Sequence, residues 1–144
     1  MINLLDINLL IALAWVSHMH HEKAHTWFGR HAGTGWATCP ITQSGFVRVS
    51  SNPNLIREAP SVKQALSALQ ALTAHPRHHF LEDSLSFADP NFAHLLIVGH
   101  RQVTDAYLLA LAAHHGATLV TLDKKMGNLL PKGSSLEKHL VTLE

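Results

Sequence analysis

The sequence predicts a single α/β domain, a three-layer α/β/α sandwich in which helices cover both faces of a central, mainly parallel sheet. Three observations carry that expectation. Short continuous apolar runs such as "INLL" and "ATLVTL" alternate with longer stretches of helical periodicity, as strands buried on both faces require. A chain of 144 residues, 47% of them hydrophobic, can bury one substantial core without dividing, so residues 1–144 read as one domain. No repeat, low-complexity tract or linker interrupts the pattern.

The elements follow in order. "INLL" is a strand closed by Asp6, and "INLLIALAWV" has the length and apolar spacing of a helix. "HHEKAHTWFGRHA" sets Ala24, Trp27, Phe28 and His31 at helical intervals and stops at Gly33. "GWATC" reads as a buried strand closed by Pro40, and "TQSGFVRVSSNP" as a short helix or turn running to Pro53. In "PSVKQALSALQALTA", Val62, Ala65, Leu66, Leu69 and Leu72 share one helical face. "HHFLE" is the next strand. "DPNFAHLLIVG" has Asp-Pro at its start and Gly at its end, the grammar of a helix. "VTDAYLLALAAHHG" repeats it, with Thr104 as cap and Gly116 as terminator, and is apolar almost all round. "ATLVTLD" is then a strand, and "HLVTLE" an edge strand.

Composition excludes several classes of protein. Eleven Lys+Arg against ten Asp+Glu give a formal charge of +1, so any site for a polyanion must be local rather than a global basic field. The lone Cys39 cannot form an intrachain disulfide, which fits a reducing compartment and makes the cytoplasm the expected location. The apolar N-terminal run is broken by Asp6 and two asparagines and falls short of a span of roughly 20 residues, so neither signal peptide nor membrane anchor is expected.

In a parallel sheet, ligands gather beyond the carboxyl ends of the strands. Two aspartates sit there: Asp6 closes "INLL" and Asp123 closes "TLVTL". Asp105, in the first turn of the helix before the second of these strands, can reach the same edge. Each has a structural explanation as a cap, a helix-dipole partner or a turn former. Together they have another. Two carboxylates about 4 Å apart repel by roughly 4 kcal/mol at an effective dielectric of about 20, so gathering three calls for protonation or a cation. All-oxygen ligation suits Mg²⁺ or Mn²⁺, ions that also take phosphate oxygens, and the matching chemistry is phosphodiester hydrolysis.

On "LLDINLLIAL", "CPITQSGFVRVSSNP" and "HRQVTDAYLLALAAHHGATLVTLD", in that order and spacing, the chain resembles the PIN-domain ribonucleases, especially the VapC toxins of bacterial toxin–antitoxin pairs. The resemblance implies a PIN-like fold, with Asp6, Asp105 and Asp123 at acidic metal-site positions and Asn8 and Thr104 as polar neighbours. It implies a metal-dependent endoribonuclease that leaves a 5′ phosphate, a homodimer, and a cognate antitoxin that blocks the site and wraps a hydrophobic groove, for which Trp15 and Trp27 are candidate linings. Arg48, Lys124 and Lys125 flank the proposed site and are candidate RNA contacts. One departure from the family pattern stands out: Gln43 occupies the place of a glutamate in many members. Gln43 offers a carbonyl oxygen but no charge, so a catalytically weak RNA- or partner-binding module is the alternative.

Two other readings compete. "HEKAH" presents His21, Glu22 and His25 in the H-E-x-x-H pattern of zinc hydrolases, yet a chain with 13 histidines reaches such a match easily by chance. A phosphoacceptor receiver needs an acidic pair near its first strand, and "MINLLD" offers only Asp6.

Overall fold

The computed structural model describes residues 1–144. In chain order it contains β1 (Asn3–Leu5), α1 (Ile7–Ala14), α2 (His21–His31), β2 (Trp36–Thr38), α3 (Pro40–Ser50), α4 (Val62–Thr73), β3 (His78–Phe80), α5 (Val103–His114), β4 (Thr118–Thr121) and β5 (Leu140–Thr142). All neighbouring strands pair in parallel, in the order β3-β2-β1-β4-β5. From β1 the chain winds outward to β3, then crosses back to β4 and β5. The order therefore reverses between β1 and β4, where a crevice opens beyond their carboxyl ends. This is not the receiver order, in which the first and third strands flank the reversal, so that reading falls.

Strand alternation builds the three layers. Leu4, Ala37 and Leu119 face one side, packing with Leu108 and Leu111 of α5. Leu5, Trp36 and Val120 face the other, under Leu9 and Leu10 of α1 and Phe46 of α3. One residue's step along a strand changes the face, so β1, β2 and β4 each supply both cores.

Several elements differ in extent from the expectation. α1 stops at Ala14, because Trp15 turns extended and anchors its indole N–H on Ser50 Oγ at 2.9 Å. α3 is a full helix of 11 residues, opened by Pro40 in its first turn and by Thr42 Oγ1 accepting the Cys39 N–H at 2.9 Å. Gly45 has no room for a Cβ against the Ile7 side chain, so α3 lies directly on the residue that follows Asp6. In α4 only part of the expected face is covered: Ala65 is buried, while Val62 and Leu66 are 55% and 46% exposed along an open groove against α3.

The helix expected in "DPNFAHLLIVG" does not form. Asp89 Oδ1 accepts the Asn91 N–H at 2.9 Å, starting one short 3-10 turn (Pro90–His94), and the chain is extended by Leu95. Leu96 then donates its N–H to Leu129 O at 2.8 Å. Only Phe92 and Leu95 reach the core, leaving Val98 91% exposed, and this backbone pairing replaces the helical ladder. α5 begins at Val103, so Thr104 lies inside the first turn rather than capping it. Gln102 Oε1 instead accepts the Val98 and Gly99 N–H groups at 2.7 and 3.3 Å. Gly116 ends α5 as expected, with φ +65°. No helix is long and apolar enough to cross a membrane.

Candidate active site

At the β1/β4 reversal, backbone geometry delivers one acid from each of three places. Asp6 follows β1 and caps α1, its Oδ1 accepting the Ile7 N–H at 2.7 Å. Its Oδ2 accepts the Thr121 hydroxyl at 2.6 Å from the end of β4. Asp123 lies two residues beyond Thr121, and its N–H donates to Thr121 Oγ1 at 3.0 Å. Asn8 closes the same network: its amide donates to Thr121 Oγ1 at 3.2 Å, while its Oδ1 accepts the Leu122 N–H at 3.2 Å. Asp105 arrives from the first turn of α5.

All three carboxylates line one cavity of about 420 Å³, with Asn8, Thr104, His18 and Arg48 among its other walls. Burial pushes the Asp6 carboxyl up, against the pull of the Thr121 and Ile7 hydrogen bonds, and the charge of Asp123 adds to the push. Asp105 is raised to about 6, first by burial, then by Asp6 and Asp123. Every cause acting on Asp105 disfavours its charge. This is how carboxylates brought together without a cation should behave.

Nowhere are three His, Cys, Asp or Glu side chains close enough to enclose an ion by themselves. The acids form an open, all-oxygen wall, which suits a hard cation that keeps several waters. The donor set and the mutual repulsion both fit such an ion.

A PIN-domain family model matches residues 4–129. This chain belongs to the PIN-domain family. It is 46% identical to Ribonuclease VapC38 of Mycobacterium tuberculosis over 97% of its own length and 98% of that protein. To Ribonuclease VapC29 of the same species it is 44% identical, covering 88% of the chain and 89% of the relative. Among solved structures it is similar to VapBC2 from Rickettsia felis bound to a promoter DNA fragment, with a TM-score of 0.64 over the full length of both chains. At 18% identity that likeness speaks to the fold alone.

The other residues expected at the PIN site divide. Arg48 lines the acidic cavity; Lys124 and Lys125 are exposed in the following turn and are not among its walls, although the Lys125 N–H donates to Asp123 Oδ1 at 2.9 Å. Gln43 also lies outside the cavity lining. Its amide donates to Thr38 Oγ1 at 3.0 Å, and that hydroxyl lies 2.8 Å from His78 Nε2. Trp15 and Trp27 do not share a groove: they line separate cavities, and Trp27 stacks on His31.

The zinc reading of "HEKAH" gains no support from the structure. His21 Nδ1 is 2.8 Å from Ala12 O, so this ring nitrogen carries the proton and ties α2 to α1. His25 and Glu22 are exposed, and no third ligand joins the pair. Cys39 is buried and its thiol is pushed up by that burial, so it is core rather than nucleophile. Neither Thr121, buried behind the cavity as the brace of Asp6, nor the cavity residue His18 was anticipated. Strand alternation puts Thr121 on the same side as Asp123, a signal present in "VTLD". His18 had no local signal, because it enters through the turn between α1 and α2.

Proposed function

We propose that this protein is an endoribonuclease, the VapC toxin of a toxin–antitoxin pair, and that Asp6, Asp105 and Asp123 hold Mg²⁺ or Mn²⁺ at its active centre. The observation that carries the reading is the convergence of three acids from β1, α5 and β4 on one cavity, with Asp105 disfavoured as an anion there. Family membership and the VapC relatives support the same chemistry.

A bound dication supplies a lowered pKa for water and stabilisation of charge on phosphate and leaving oxygen. The chain's own residues do the rest. Thr121 and Ile7 fix both oxygens of Asp6, so its carboxylate is oriented before any ligand arrives. Asn8 locks the end of β4, and with it Asp123, against α1. Asp105 has no such brace, and its carboxyl is raised to about 6. Arg48, on the same cavity, provides positive charge for the RNA backbone. Gln43 lies outside that lining, so its lack of charge does not by itself argue for a weakened module.

A homodimer and an antitoxin partner belong to the same reading; the structural neighbour is itself a VapBC complex. The test is cleavage of total RNA by the purified chain with Mg²⁺, with Mn²⁺, and after exhaustive EDTA treatment, alongside calorimetric metal titration. Cleavage is expected only with the ions. Cleavage that survives chelation removes the metal mechanism, and no binding of either ion at millimolar concentration favours a non-catalytic module.

A further inference from the structure

The acidic cavity continues at one side. Ile11, His18, Leu55 and Ile56 line both it and a second cavity of about 350 Å³, which runs between the end of α1, the turn before α2 and the segment around residues 55–58. Trp15, Ser17, Arg57 and Glu58 complete the second cavity. None of these four takes part in bracing the acids. The volume suits a unit of small-molecule size. Its walls combine a cation, an aromatic plane and a hydrogen-bond donor, the groups that hold single-stranded nucleic acid.

Two of these groups are set in advance. Trp15 is held by its bond to Ser50 and by stacking on Phe46, with ring centroids 6.1 Å apart and planes within 7°. His18 Nδ1 accepts the His20 N–H at 3.0 Å, so the neutral ring carries its proton on Nε2 and presents a donor. Arg77 directs its guanidinium to Gly33 O at 3.1 Å, whereas Arg57 is exposed and makes no such bond. Charge also changes along the path: three aspartates face one arginine in the first cavity, but Glu58 faces Arg57 alone in the second. An RNA chain needs a dication in the first and none in the second.

We propose that the second cavity is an RNA subsite for a nucleotide adjoining the scissile phosphate. Its base lies against Trp15, its phosphate meets Arg57, and His18 donates from Nε2 at the junction of the two cavities. The subsite rests on the ribonuclease reading above and deepens it. His18 and Arg57 are substrate-positioning residues, so their loss should appear in KM rather than kcat.

The test uses the full chain and an RNA oligonucleotide that it cleaves. KM and kcat are measured with Mg²⁺, and affinity for the same uncut oligonucleotide is measured in EDTA by fluorescence anisotropy over a range of salt. Arg57→Ala is expected to raise KM and Kd about tenfold, the scale of one charge-assisted contact, with kcat nearly unchanged. Its log–log salt slope should be shallower by about 0.7. His18→Ala should raise KM similarly, and His18→Gln, which keeps a donor, should recover most of the loss. Arg30→Ala, which removes a cation from the outer face of α2, should change neither constant. If wild type cuts RNA and both alanine variants match it, the subsite is overturned and the ribonuclease reading stands. Unchanged RNA constants with weakened antitoxin binding would give the cavity to the protein partner and also overturn the subsite. A wild type that neither binds nor cuts RNA removes both readings.

Discussion

The acidic edge of the sheet and the histidine-bearing helix α2 both present metal-binding residue types at suggestive positions, yet they are built in opposite ways. At the edge, three carboxylates come from separate elements into one cavity, where burial and mutual repulsion hold Asp105 at about 6. On α2, His21 and His25 come from a single element, with ring centroids 5.8 Å apart, and no third ligand joins them. His21 satisfies the Ala12 carbonyl and so acts as a packing strut. The comparison teaches that spacing along one helix is weak evidence of a site. Charge forced together by different elements, and left uncompensated, is stronger evidence.

The largest expected effect breaks or confirms the acidic side of that contrast. Asp105→Asn keeps the side chain's size but removes one charge, and cleavage of RNA by the purified, folded variant should fall at least about a hundredfold, the scale of losing an electrostatic stabiliser. Normal cutting by this variant would move the site elsewhere.

A smaller effect concerns stability without metal. Asp105 binds its proton more tightly in the folded state, near 6, than unfolded, near about 3.9. Its stabilising contribution is therefore fully present below about pH 4 and is lost as pH rises through about 6. Because the group is half-exposed and solvent-screened, the loss should be on the order of 1 kcal/mol. Urea denaturation in EDTA from pH 4 to pH 7 measures it, and Asp105→Asn should flatten the profile. A profile just as steep in that variant would assign the slope to another group, Asp6 being the first candidate.

The histidine side is sharpened by His21→Ala combined with His25→Ala. Losing the bond to Ala12 should cost about 1 kcal/mol in chemical denaturation while metal-dependent cleavage persists. A folded but inactive double mutant, stripped of zinc, would reverse the comparison. The smallest effect is expected from Gln43→Glu. Outside the cavity, the added charge should change Mg²⁺ affinity in calorimetry less than about threefold, and a clear tightening would place residue 43 within reach of the ion.

Much of this was legible beforehand, for a local reason. "INLLD" and "TLVTLD" announce strands that end in acids, and strand periodicity assigns Leu4 and Leu5 to opposite cores. Asp6 as a cap, Gly116 as a terminator and the parallel class of the sheet follow from rules that act within a few residues. "DPNFAHLLIVG" misled because its start and stop signals are local, whereas its fate depended on Leu129, whose carbonyl captures the Leu96 N–H from another part of the chain. The exposed half of α4 misled similarly: its apolar stripe says that a face exists, not how much of it another element will cover.

The sequence by itself determined which residues form strands and helices, which faces are apolar, and that Asp6 and Asp123 stand at strand ends. Tertiary structure decided which ends meet. Only the β3-β2-β1-β4-β5 order makes β1 and β4 neighbours across the reversal, and only that adjacency puts Thr121 within 2.6 Å of Asp6. It also brings Asp105 to the acids and opens the crevice beside His18. The physical reason is range. Capping and periodicity act over one or two turns of chain, whereas strand order is set by how two faces of apolar side chains pack across the whole domain.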